Sequence, residues 1–202
     1  MDPQLRKIAG RRERRQSGNT APSQELRSPF AWMPLVAALI IVVATIAAYS
    51  NCFYGVLIFD DVSAISENQT IRQLWPIGQV LSPPSKGETV SGRPLLNLSL
   101  AMNFAMGNPT IGDYTISNLA IFHATNLAIH LVAALLLFGI IRRTLLLPVL
   151  REQFGKASTW LALSVALLWA VHPLQTESVT YIVQRAESLV AVFYMLTLYC
   201  VI

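Results

Sequence analysis

Residues 30–61 read FAWMPLVAALIIVVATIAAYSNCFYGVLIFDD, thirty uncharged positions from Phe30 to Phe59 and then Asp60 and Asp61. A helix needs about 20 apolar residues to cross a hydrocarbon core about 30 Å thick. Phe30–Ser50 supplies 21 uncharged residues. A cleaved leader would carry an apolar region of only about 7–15 residues, so the stretch predicts a retained membrane helix. Two acids arriving together just beyond it make poor membrane anchors. They are better suited to deprotonating a hydroxyl or holding a metal ion.

Composition agrees. The chain is 53% hydrophobic and 13% charged, against about 25% charge in soluble domains. The net charge of +4 does not point to nucleic acid, because seven of the fifteen Lys and Arg lie in residues 1–30, as in Arg11-Arg12-Glu13-Arg14-Arg15. That segment lacks the aromatic residues that stack bases and reads as a disordered basic tail over 1–29. Cys52 and Cys200 form no motif and read as apolar fillers.

Further spans are expected near 114–141, 157–171 and 188–202, with outer loops at 51–113 and 172–187. The last apolar run has 15 residues, too few to cross alone, so the chain reads as the N-terminal piece of a longer polytopic protein. Eleven of the fifteen basic residues fall in 1–30 and 142–156. Their bias predicts a cytoplasmic N-terminus and outward-facing acids. In the first outer loop, Ile71–Leu81 reads as a short segment with Leu74, Trp75 and Val80 on one apolar side. Leu95–Met106 is apolar but short and carries Asn97, Ser99 and Asn103. Both suit helices lying at the membrane interface.

Several polar groups accompany the acids. If 174–187 is one helix, Glu177, Thr180 or Tyr181, and Gln184 share a side, with Arg185 adjacent. An outward arginine can grip a lipid-linked phosphate bidentately. Arg93, in the turn Gly92-Arg93-Pro94, is a second phosphate candidate. His123, Asn126 and His130 recur at helical spacing in the second span and read first as interhelical hydrogen-bonding groups. Asn68-Gln69-Thr70 and Asn97-Leu98-Ser99 match the glycan-acceptor pattern, which is frequent by chance.

Phe59-Asp60-Asp61, Gly92-Arg93-Pro94-Leu95 and Tyr114-x-x-x-Asn118 together resemble a known family. So does His172-Pro173-x-x-Thr176-Glu177-x-Val179-x-x-Ile182-x-x-Arg185-x-Glu187. The family is the membrane O-mannosyltransferase-like proteins with tetratricopeptide repeats and their bacterial relatives, similar to GT-C glycosyltransferases. The resemblance covers roughly residues 30–202. It implies Asp60 or Asp61 as the catalytic base, with a divalent metal allowed at those acids but not required. Arg185 is implied as the leading phosphate contact, with Arg93, His172, Glu177 and Glu187 also at the substrate. No 34-residue repeat is present in the chain.

The expectation is therefore an all-α membrane protein of about four transmembrane helices, with short interfacial helices in its first outer loop and a GT-C-type fold. It would transfer a sugar from a polyprenyl-phosphate donor to a hydroxyl on a protein or glycan, within a lipid bilayer and without nucleic acid. The competing expectation is a transporter fragment or a non-catalytic membrane scaffold. Such a protein would draw on the mid-span polar residues instead.

Overall fold

The apolar run of residues 33–48 forms helix α1, Met33–Ala48, and continues through a 3₁₀ turn at Ser50–Tyr54. Pro34 falls in its first turn, where a missing N–H breaks no intrahelical bond. Thr45 hides its hydroxyl by donating to the Ile41 carbonyl at 2.7 Å, which lets a polar side chain sit fully buried. The structure is a computed structural model that describes residues 32–84, 89–107 and 116–202. The expected tail at 1–29, Tyr114 and the side chain of Asn118 lie outside the described residues.

The elements that follow are α2 (Ile77–Val80), α3 (Pro94–Gly107), α4 (Ile116–Leu145), α5 (Pro148–Phe154), α6 (Ser158–Ala170), α7 (Thr176–Thr180) and α8 (Arg185–Val201). No strand occurs among the described residues. Helix α4 has 30 residues and is about 45 Å long at 1.5 Å per residue. Arg142 and Arg143 end it, where cations suit the negative pole of the helix. Residues 33–202 form one compact unit with α4 at its centre, packed against α1, α6 and α8.

Two buried clusters hold this unit together. In the first, Ala37 and Ile41 of α1 meet Ala134 and Phe138 of α4 and Ala162, Ala166 and Ala170 of α6. The three alanines recur every four residues, on one face, so the backbones approach closely without side chains between them. In the second, the first loop folds over α3. Ile65, Ile71, Val80, Val90 and Leu100 pack there with Phe122 of α4 and with Ile182 and Val183.

Asn68 and Asn97 tie that loop internally. Asn68 donates to the Asn97 side-chain oxygen at 2.8 Å. Asn97 in turn donates to Thr70 Oγ1 at 2.8 Å and to the Val80 carbonyl at 2.6 Å. Both asparagines are buried. Each buried amide finds partners, as a buried polar group must.

Three expectations change. Among the described residues two single helical segments, Met33–Tyr54 and Leu119–Leu145, are long and apolar enough to cross a membrane, and a bent pair, Pro173–Thr180 with Arg185–Val201, adds a third only if the pair is one span. Helix α6 has only 13 residues, about 20 Å, because it ends at Ala170, just before His172-Pro173. Residues 174–187 are not one helix. The chain bends by 110° between α7 and α8, because side chains from α4 and the first loop take up the backbone groups at the break. Nor do Leu74, Trp75 and Val80 share a face: Val80 is buried while Trp75 is 78% exposed. A 3₁₀ turn at Gln69–Ile71 and the separate α2 interrupt the helical period there.

Candidate functional site

Asp60 and Asp61 begin a short helical turn at the end of the first apolar segment. Consecutive helical residues point about 100° apart, so the two acids face different surroundings. Asp61 faces inward and is 1% exposed. One of its oxygens accepts the Val183 N–H at 2.9 Å and the other the Ile58 N–H at 3.4 Å. Burial pushes its pKa from 3.8 up to about 6. The N–H groups of Val183, Ile58 and Ile182 oppose that shift, and the neighbouring Asp60 charge adds to it. Asp60 faces solvent. Its carboxylate accepts the Thr89 hydroxyl at 2.8 Å, and its backbone N–H donates to the Tyr181 hydroxyl at 3.0 Å.

The residue before the acids is strained. Phe59 has φ of 43°, the one non-glycine positive φ among the described residues, and its ring is 85% exposed. A bulky residue in this region costs on the order of 1 kcal/mol, and such outliers concentrate at functional sites.

Arg185 lies elsewhere than expected. It is fully buried. Its Nε donates to Asn126 Oδ1 at 2.7 Å, one terminal nitrogen to Ser99 Oγ at 3.2 Å, and the other to the Phe122 carbonyl at 2.9 Å. A phosphate grip needs an open face of the guanidinium, and this one is directed into three protein acceptors. Asn126 completes the arrangement by donating to the carbonyls of Tyr181 and Ile182 at 3.1 and 3.2 Å. Those carbonyls lie at the break between α7 and α8. Asn126 and Asp61 thus satisfy the backbone where the helix pair bends, and Arg185 holds Asn126 in place.

Arg93 occupies the open position. The turn from Thr89 to Arg93 closes through the Arg93 N–H on the Val90 carbonyl at 3.0 Å. Gly92 takes φ of 69° there, a conformation that favours glycine. Through Thr89, the same turn touches Asp60. Arg93 is exposed and heads a groove of about 290 Å³ whose walls are Pro94, Leu95 and Leu96 of α3 and Ala186, Leu189, Val190 and Phe193 of α8. Glu187 is the other charged residue lining it. A second, apolar groove of about 450 Å³ runs along α4 and α8 and shares Leu189 with the first.

The remaining candidates separate. His172 uses Nδ1 to accept the Leu174 N–H at 3.2 Å, capping the turn after α6. Glu177 accepts from the Gln184 amide at 3.4 Å, so these two meet even though no continuous helix joins them. His130 bonds the Ala170 carbonyl at 2.8 Å and stacks on Trp169. His123 is buried with neither ring nitrogen hydrogen-bonded. It lies so close to Gly55 that a Cβ there would come within 2.8 Å of the imidazole. No three His, Cys, Asp or Glu side chains among the described residues gather to hold a metal, and Asp61 turns away from Asp60 toward backbone amides.

Sequence reasoning passed over Thr89, whose type and spacing give no signal. It read Asn126 as an interhelical group, but its link to Arg185 depends on the bend.

Fold and site together define an all-helical protein, among the described residues, with apolar, membrane-length helices and polar groups gathered where the segment after α1 meets the bend between α7 and α8. The chain is similar to part of several known proteins. The chain is 31% identical over 163 residues to protein O-mannosyl-transferase TMTC3 of Mus musculus, covering 77% of this chain and 16% of that protein. It is 31% identical over 201 residues to protein O-mannosyl-transferase Tmtc3 of Drosophila melanogaster, covering 91% of this chain and 20% of that protein. Protein O-mannosyl-transferase F38B6.6 of Caenorhabditis elegans is 27% identical over 183 residues, covering 87% of this chain and 24% of that protein. The chain spans about a fifth of the length of these relatives. No protein-family profile and no solved structure matches it.

Proposed function

We propose that this chain carries part of the site of a multi-pass membrane glycosyltransferase of the GT-C type, with its outer loops facing away from the cytoplasm. It moves a sugar, mannose by analogy with the relatives' names, from a polyprenyl phosphate to a hydroxyl on a protein or glycan. One observation carries the reading: an exposed carboxylate, Asp60, is tied through Thr89 to the turn that presents Arg93 over an apolar groove. The groove suits an isoprenoid chain, and Arg93 suits its phosphate.

In this reading the acceptor oxygen attacks the anomeric carbon and its proton passes to Asp60. The bond from that carbon to the phosphate oxygen breaks, so the configuration inverts. The leaving polyprenyl phosphate takes the electron pair, and Arg93 offsets its added charge. Asp61, Asn126 and Arg185 hold the bent α7–α8 pair in place around the site. The pairing of Asn126 and His130 with backbone carbonyls favours this over a transporter, which would keep such mid-span groups for cargo.

The test is transfer of labelled mannose from its polyprenyl-phosphate ester by membranes carrying the longest natural version of the protein. Asp60→Asn and Arg93→Ala are compared with wild type at equal expression. Loss of transfer in both supports the reading, and full activity in both would sink it.

A further inference from the structure

The short length of α6 leaves a recess that the proposed reaction has not used. Where α6 stops at Ala170, a cavity of about 230 Å³ opens between α4, α7 and α8. His130, Trp169, Gln175, Ser178, Glu187 and Ser188 line it. Ala133 and Ala191, being small, leave the space free. A water molecule takes about 30 Å³ of liquid, so the recess has room for several waters or one six-membered sugar ring.

Its lining is unlike that of the two apolar grooves. The Gln175 amide, the Ser178 hydroxyl and the Glu187 carboxylate make no hydrogen bond with other described residues. Trp169 stands beside them, stacked on His130 with centroids 4.9 Å apart and planes 23° apart. His130 is held in turn by its bond to the Ala170 carbonyl and by the edge of Tyr49 at 5.6 Å. A rigid aromatic wall facing unspent donors and acceptors suits a ring with an apolar C–H face and a rim of hydroxyls. Glu187 also lines the groove that Arg93 heads. One side chain therefore borders both spaces, and a sugar joined to a phosphate is the ligand class whose two halves match them.

We infer that this recess is a hexose subsite in which Glu187, Gln175 and Ser178 bond the ring hydroxyls beside the Trp169–His130 wall. This rests on the glycosyl-transfer reading above and adds to it where the sugar sits.

The experiment uses the 202-residue chain in phosphatidylcholine nanodiscs, which carry no sugar, with its tryptophan indoles labelled with nitrogen-15. Methyl α-mannopyranoside is titrated in, with glycerol as the polyol control, and the Trp169 resonance is assigned with Trp169→Phe. A saturable shift of Trp169 is expected with the mannoside and not with glycerol. Glu187→Gln should weaken it about tenfold, the effect of losing one hydrogen bond to a charged group. Ala191→Leu should abolish it by filling the recess. An absent shift, one reproduced by glycerol, or one that survives Ala191→Leu would overturn the subsite. Sugar-free polyprenyl phosphate is titrated separately. If it still binds through Arg93 while the mannoside does not bind, the subsite alone fails. If neither binds, the glycosyl-transfer reading fails with it.

Discussion

Asp61 accepts the backbone N–H of Val183 at 2.9 Å across 122 positions of sequence. A carboxylate near the start of the first loop is thereby fastened to the bend that begins α8. The adjacent acid, Asp60, stays at the surface. Two neighbours in sequence therefore divide, one fastened to the scaffold and the other open to solvent.

This division has a pH signature. Burial raises the Asp61 pKa to about 6 in the folded protein, from 3.8, so the folded state holds the proton more tightly than the unfolded one. The stability contributed by that proton is complete below the unfolded value and is lost as pH rises through about 6. Two units correspond to roughly 3 kcal/mol. Thermal unfolding in detergent should show a melting temperature that falls between about pH 4 and pH 6. Asp61→Asn should flatten that dependence, and an unchanged slope in the variant would contradict the assignment.

Arg185 and Arg93 should respond oppositely to truncation. Arg185→Ala leaves Asn126 Oδ1 buried without its donor, at about 1–3 kcal/mol, and empties the space of a fully buried side chain. Its melting temperature and its expression should both drop. Arg93→Ala, at an exposed position, should change stability by less than about 0.5 kcal/mol while weakening polyprenyl-phosphate binding about tenfold or more. Melting curves measured alongside donor titrations of both variants separate the two roles.

Asn126→Ala should loosen the bend. The Tyr181 carbonyl loses its donor, the Ile182 carbonyl keeps only the Arg185 N–H, and the Arg185 side chain loses an acceptor. Hydrogen exchange at Val183 and Arg185 should speed up in the variant, with the alanine-packed contact of α1 and α6 unaffected. Uniform acceleration throughout the chain would mean that Asn126 supports the whole fold.

The two glycan-acceptor patterns should remain unmodified in the folded protein. Asn68 and Asn97 donate to each other's surroundings from buried positions, and neither amide can accept a glycan without leaving that network. Glycosidase treatment of protein expressed in a eukaryotic secretory pathway should produce no mobility change. Asn97→Ala should cost about 2 kcal/mol of stability through the Val80 carbonyl and the Asn68 amide, which lose their Asn97 partners.

Replacing Asp60 tests the chemistry. Asp60→Asn should lower sugar transfer by about 10²–10⁴-fold, the usual contribution of a general base. Its melting temperature should stay within a degree or two of wild type, because the carboxylate is exposed. A steady-state transfer assay paired with a melting curve distinguishes this from a folding defect.

The sequence alone was enough for the helical class and for the first two apolar segments, because burial in lipid demands long uninterrupted apolar runs that can be counted. It also placed Asp60 and Asp61 among the residues worth testing, since paired acids beside an apolar run stand out, and Arg93 for its Gly-Arg-Pro turn; Glu187 entered through the family resemblance. Only the tertiary structure distinguished Asp60 from Asp61 and Arg93 from Arg185. In each pair the residues are alike in chemistry, and what separates them is burial: Asp61 meets a backbone amide at a distant bend, and Arg185 is enclosed by acceptors on α3 and α4. Asn126 at the centre of α4 satisfies the break at 181–182, and Asp61 takes the amide that follows it. Such pairings are set by where the chain folds back on itself, and local spacing carries no record of them.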